Sequence, residues 1–111
     1  AVVDVPVPNS ADLDLVHDVL GEICRDIVHD DYVGVYILDE PSVMGVQAIR
    51  LEQTVLRLLA RTKPGMQWEV GRRMRAVILR RFRQEGIVLE PEALAAIRAG
   101  MVRPDDAEAG V

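Results

Sequence analysis

Arg72, Arg73, Arg80 and Arg83 are spaced so that, at 100° per residue, they form one cationic stripe along a helix, with Ala76 and Leu79 projecting on the same side. Guanidinium groups in such a row can bind phosphates, pair with carboxylates of a neighbouring element, or meet an acidic surface of another subunit. The phosphate reading asks for a basic chain and, on an RNA-binding sheet, for aromatic side chains on which bases stack. Here the formal net charge is −5, and the strand-like run "TVLRLLART" carries no ring. The charges are also unevenly spread, with ten Asp/Glu against two Arg in residues 1–50 and eight Asp/Glu against eleven Lys/Arg in residues 51–111. An acidic first half offers two kinds of partner for the stripe: the chain's own first helix, or the complementary face of an identical subunit in a closed ring.

No constellation suits covalent chemistry. His17 falls at the edge of an apolar helix face and His29 at that helix's end, with no nucleophile beside either. Ser10, Ser42, Thr54 and Thr62 occupy cap, turn and strand positions, and the carboxylates fall on exposed helix faces. A Gly-rich phosphate loop and a Cys-x-x-Cys pair are both missing, and the single Cys24 rules out an internal disulfide and reads as a small buried hydrophobe. The chain therefore reads as non-enzymatic, with no catalytic, cofactor-binding or metal-ligating residues and no cofactor.

The stretch "RTKPGMQWEVGRRM" joins the only tryptophan to the start of the Arg-rich helix. Pro64 and Gly65 end an extended run, and Trp68 in the helix's first turn covers the junction where the chain reverses over a sheet. Phe82 lies on the core face of that helix and Gly86 at its C-cap, so Pro64, Gly65, Trp68, Phe82 and Gly86 form a structural set.

The elements that must carry these residues follow from composition and period. A chain of 111 residues makes one domain, and with half its residues apolar but only 4% aromatic, its core is built from Val, Leu, Ile and Met. No apolar run approaches the ~20 residues that cross a bilayer, so this piece reads as soluble. Its start without Met, on a strand-like run, suggests a segment of something longer. Val3, Val5 and Val7 alternate as in a half-buried strand, which Pro6 is expected to loosen or end. Ser10 and Asp12 are possible caps for a helix from Leu13 to about His29, whose Leu13, Val16, Leu20, Ile23, Cys24 and Ile27 share a face. "HDDYVGVYILDEP" reads as a long loop with Tyr32, Tyr36 and Ile37 tucked beneath it. Val43–Leu51 and Thr54–Thr62 read as a hairpin, and residues 67–84 as the second helix, with Val70, Met74, Val77, Ile78 and Phe82 inward. "IVLE" supplies a last strand. The order predicts an α+β, ferredoxin-like βαββαβ domain over residues 1–90, two helices covering one face of a four-stranded antiparallel sheet. Residues 91–111 then form a short helix, with Pro91 in its first turn and Gly100 after its end, followed by a tail.

Three separated blocks, "VVDVPVPNSADLDLVHDVL", "ILDEPSVMGVQAI" and "TVLRLLARTKPGMQWEVGRRMRAVILRRFRQEGIVL", resemble in order the C-terminal cytoplasmic portion of small-conductance mechanosensitive (MscS family) channel subunits. The most specific part is Thr62, Lys63, Pro64, Gly65, Gln67 and Trp68, followed by Val70, Met74, Ile78, Phe82, Gly86 and Ile87. The resemblance implies an N-terminal part with transmembrane and pore helices. It also implies seven identical subunits around a cytoplasmic cage with side portals, and opening by membrane tension that relieves osmotic pressure. It transfers no catalytic residue. Where such proteins commonly continue with an Ile-Pro-Phe-Pro type segment leading to a basal barrel, this chain reads "IVLEPEALAAIRAG", and a short helix is expected instead.

The first reading is therefore a cage-forming, ring-assembling domain on the cytoplasmic side of a cell-membrane channel. It partners with identical subunits and binds neither nucleic acid nor a small molecule. Arg72, Arg73, Ala76, Leu79, Arg80 and Arg83 are its subunit-interface or portal candidates. The alternative is a ferredoxin-like small-ligand regulatory or oligomerisation module.

Overall fold

The structure, a computed structural model, describes residues 1–101. Strand β1 (Val2–Pro8) alternates as its sequence demands, with Val3, Val5 and Val7 fully buried. It leads into helix α1 (Leu13–Asp26), capped by Asp12, whose carboxylate accepts from the Asp14 and Leu15 amides at 3.1 and 3.2 Å. Two 3-10 turns, Ile27–His29 and Gly34–Tyr36, follow before strands β2 (Ser42–Ile49) and β3 (Gln53–Leu59). Helix α2 (Gln67–Gln84) and helix α3 (Pro91–Ala99) complete the order.

The sheet is antiparallel with β3 in the middle, in the order β1-β3-β2. Its inward residues Leu56 and Leu58 meet Val5 and Val3 across the ladder and pack beneath Leu20 and Ile23 of α1 and Met74, Ile78 and Phe82 of α2. Asn9 secures the hairpin from outside. Its side-chain amide donates to the carbonyls of Arg50 and Leu51, and its amide oxygen accepts from the hydroxyl of the buried Thr54 at 2.7 Å.

The expected four-stranded sheet is corrected to three strands among the described residues, within an α+β fold whose arrangement remains roughly compatible with a ferredoxin-like plan. The segment "IVLE" does not join as a strand, for two reasons. First, Gly86 at φ +72 closes α2 in a Schellman turn: Ile87 N–H donates to the Phe82 carbonyl at 2.9 Å and Gly86 N–H to that of Arg83 at 3.3 Å. Only Ile87–Glu90 then remain before Pro91 starts α3, whose Ala93 and Ile97 are buried together with Leu89. Second, the free edge of β1 is a poor template. The Ala60 amide donates to the Ala1 carbonyl and the Asn9 amide to the Glu52 carbonyl, so the odd residues of β1 bond β3 and the even ones face outward. Pro6 and Pro8 therefore leave that edge without two donors, and Arg75 Nη2 takes the Val2 carbonyl at 3.3 Å.

The same alternation explains why Pro6 does not end β1, which runs on to Pro8: its missing N–H would have pointed away from β3. Two smaller expectations also shift. The α-helical part of α1 stops at Asp26 and the next three residues tighten to a 3-10 turn. In the following loop Tyr36 and Ile37 are partly buried against the core as expected and Val33 is buried with them, but Tyr32 is 72% exposed. The expected tail after Gly100 lies, from residue 102 on, outside the described residues.

Candidate functional site

The stripe expected on α2 divides into engaged and free arginines. Arg72 forms an ion pair with Glu69 one turn back at 3.1 Å on the surface. Arg73 is held more firmly: its Nε donates to Asp30 Oδ1 at 3.0 Å, and its guanidinium carbon sits 4.7 Å from the centroid of the Tyr32 ring. Asp30 Oδ2 accepts from the Tyr32 and Val33 amides at 3.0 and 3.1 Å, so one carboxylate ties the loop after α1 to the middle of α2. Burial works against the charged form of Asp30, but the hydrogen bonds from Arg73, Tyr32 and Val33 outweigh it and hold the carboxyl below its ordinary range.

Arg80 and Arg83 are exposed and make no ion pair among the described residues. With Ala76 and Leu79 they line an open groove of about 620 Å³ between α2 and α3, which Phe82 and Gly86 also border. Arg72, Arg73 and Ala76 border a second hollow of about 840 Å³, walled by Tyr32, Tyr36 and the Gly65–Met66 turn. Ala76 and Met101 border both hollows, so the six expected residues divide between them, Arg72 and Arg73 at one and Leu79, Arg80 and Arg83 at the other.

Three arginines escaped the sequence reading. Arg98 on α3 is a third cation around the groove; only a helix at residues 91–99 packed beside α2 brings it there. Arg81 lies at the core-side edge of α2 and forms ion pairs with Glu22 of α1 and with Glu85 at 3.6 Å. Arg75 makes no ion pair among the described residues and donates instead to the carbonyls of Gly100 and Val2, which pins α3 and the β1 edge to α2. The helical-wheel angles of Arg75 and Arg81, off the stripe and toward the core, were the available signal for both.

The structural set falls into place around this face. Gly65 at φ +81 turns the chain into α2, and the Lys63 amide donates to the Tyr36 carbonyl at 2.9 Å, which fixes this turn to the loop below. Pro64 is exposed, Phe82 is 1% exposed, and Trp68 is half-buried. The indole nitrogen of Trp68 is enclosed and makes no hydrogen bond among the described residues. Elsewhere, His17 and His29 are exposed, and no group of three or more potential metal ligands gathers among the described residues. Cys24 is buried, and its thiol is pushed up to about 11 by desolvation, with Glu40 adding to the effect and Arg25 opposing it. No described helix is long and apolar enough to cross a membrane.

Residues 1–89 match the family model described as the C-terminal part of the mechanosensitive ion channel MscS. The chain is also 29% identical over 89 residues to the small-conductance mechanosensitive channel of Caldanaerobacter subterraneus subsp. tengcongensis. That overlap takes in 78% of this chain and 30% of the relative, so the chain spans about a third of the curated protein it matches. Helix α3 lies past the stretch matched by the family model.

Proposed function

We propose, because the chain belongs to the MscS C-terminal family of mechanosensitive ion channels, that it is a cage-wall domain on the cytoplasmic side of a tension-gated channel. Its contribution is structural: identical copies stand in a ring below the pore and set the shape and charge of the path by which solutes approach. The single observation that carries this reading is the family match over residues 1–89, which takes in β1 through α2 and nearly all of the one hydrophobic core. The unpaired Arg80 and Arg83 add support, since a cationic surface without internal partners is available to a neighbouring subunit or to ions at a portal.

The test is made on the complete polypeptide that carries this segment, reconstituted in liposomes and patched under a pressure ramp. Stepwise, tension-dependent conductance is expected, together with a fixed subunit stoichiometry. Arg80→Glu combined with Arg83→Glu is expected to alter either that stoichiometry or the anion-to-cation permeability ratio. A correctly inserted protein that passes no current at any tension short of membrane rupture overturns the channel reading. Unchanged conductance, selectivity and stoichiometry in the double variant removes the role given to these arginines.

A further inference from the structure

The groove between α2 and α3 is built in part by a helix outside the family-matched stretch, so its character belongs to this chain. Leu79, Ile87, Val88 and Leu94 form its floor and rim, and Val88 is left 78% exposed. Arg80, Arg83 and Arg98 surround it, no carboxylate lines it, and none of the three arginines is ion-paired among the described residues. An apolar trough flanked by three cations outside any ion pair fits one kind of partner: a helix ridge with an exposed aliphatic side chain beside a row of carboxylates.

The same chain carries such a ridge elsewhere. In the first two turns of α1, Asp14 and Asp18 are exposed and unpaired among the described residues, with Leu15, 37% exposed, beside them. Carboxylates at i and i+4 stand about 6 Å apart on a helix, close to the spacing of cations at i and i+3 such as Arg80 and Arg83. The ridge cannot reach its own groove. Helix α1 packs over β2, whereas α3 packs beside β1, and these are the two outer strands of the sheet, with α2 between the helices.

We infer that the Asp14–Leu15–Asp18 ridge of one copy docks into the α2–α3 groove of a second copy of this chain. The contact joins two different surfaces, so repetition passes from copy to copy and closes when the rotation between copies divides a full turn. The inference rests on the self-assembly reading above and adds the two surfaces that meet. Both are charged, so association weakens as salt rises.

The 111-residue chain, concentrated to the millimolar range, is followed by sedimentation velocity and by oxidative cross-linking of Asp18→Cys with Arg83→Cys. Cys24 is buried with its thiol held protonated, so it does not compete. The expected result is a ladder of cross-linked multimers from the double variant and none from a control pair at Glu52→Cys with Arg83→Cys. Arg80→Glu with Arg83→Glu should weaken association at least about tenfold, and mixing that variant with Asp14→Lys/Asp18→Lys should restore a heterotypic contact. Association that persists without the ladder, or that ignores the charge reversals, overturns this pairing and leaves self-assembly standing. A chain that stays monomeric throughout overturns this pairing, while the ring reading is decided separately by the stoichiometry of the complete polypeptide.

Discussion

Asp30 carries more of the fold than its place in a loop suggests. It accepts from two loop amides and from Arg73, so its removal frees both the loop and the guanidinium that stacks on Tyr32. Hydrogen bonds to a charged group are worth about 1.5–3 kcal/mol each, and with an acceptor amide left in place, Asp30→Asn should cost roughly 1–2 kcal/mol at neutral pH in urea unfolding. The carboxyl titrates below its unfolded value in the fold. Its contribution is therefore fully present above the unfolded pKa and is lost as pH falls through the folded pKa. The wild-type chain should lose stability on acidification below about pH 4 more steeply than Asp30→Asn, and parallel curves would remove Asp30 from the acid response. Cys24 allows a cleaner test. A thiol pushed up from 9.0 to about 11 has about a hundredfold less thiolate near neutral pH, before burial blocks access, so labelling by a small neutral disulfide should track unfolding alone. Fast labelling of the native chain would show that the pocket around Cys24 opens.

The helices and the hairpin were legible because each rests on a local period: α2 has Val70, Met74, Ile78 and Phe82 on one stripe, and β3 has Leu56 and Leu58 on one face. The fourth strand was misread because "IVLE" has the composition of a strand but not the room for one. Its fate is decided by the turn at Gly86, by Pro91 four residues on, and by prolines placed 80 residues earlier on the edge it would have joined. The candidate site was legible only in part for a similar reason. The stripe on α2 needs nothing but helical spacing, whereas Arg98, and the engagement of Arg73 by Asp30, depend on tertiary neighbours that no local pattern announces. Gly86 tests the turn directly. A Cβ there would meet no atom within 4 Å, so Gly86→Ala acts through backbone strain at φ +72 alone and should cost about 1 kcal/mol by thermal or urea unfolding. A neutral result would mean that the turn relaxes without loss and does not dictate the path of Ile87–Glu90.

At the scale of the molecule, α3 takes over work that a fourth strand would have done. It covers the β1 side of the core through Ala93 and Ile97, with Leu89 buried on the way in. It is fastened at its far end, where Arg75 reaches from α2 to the carbonyls of Gly100 and Val2. Gly100 is part of this fastening for a steric reason, since a Cβ at that position would stand 2.6 Å from Arg75 Nε. The helix thus answers two problems left by a three-stranded sheet, a partly bare core and a free strand edge, with one packed element outside the span matched by the family model. Ile97→Ala should then destabilise the whole chain by about 2–4 kcal/mol, in the range of a large-to-small change in a closed core. The loss should appear in one cooperative transition followed both by far-ultraviolet circular dichroism and by the fluorescence of Trp68 in the first turn of α2. If Ile97→Ala instead melts α3 early while the Trp68 signal keeps its midpoint, α3 is an appendage to a body that is stable without it. The groove that it forms with α2 would then have to open independently of the core, and a docking surface built there would be available only while α3 is folded.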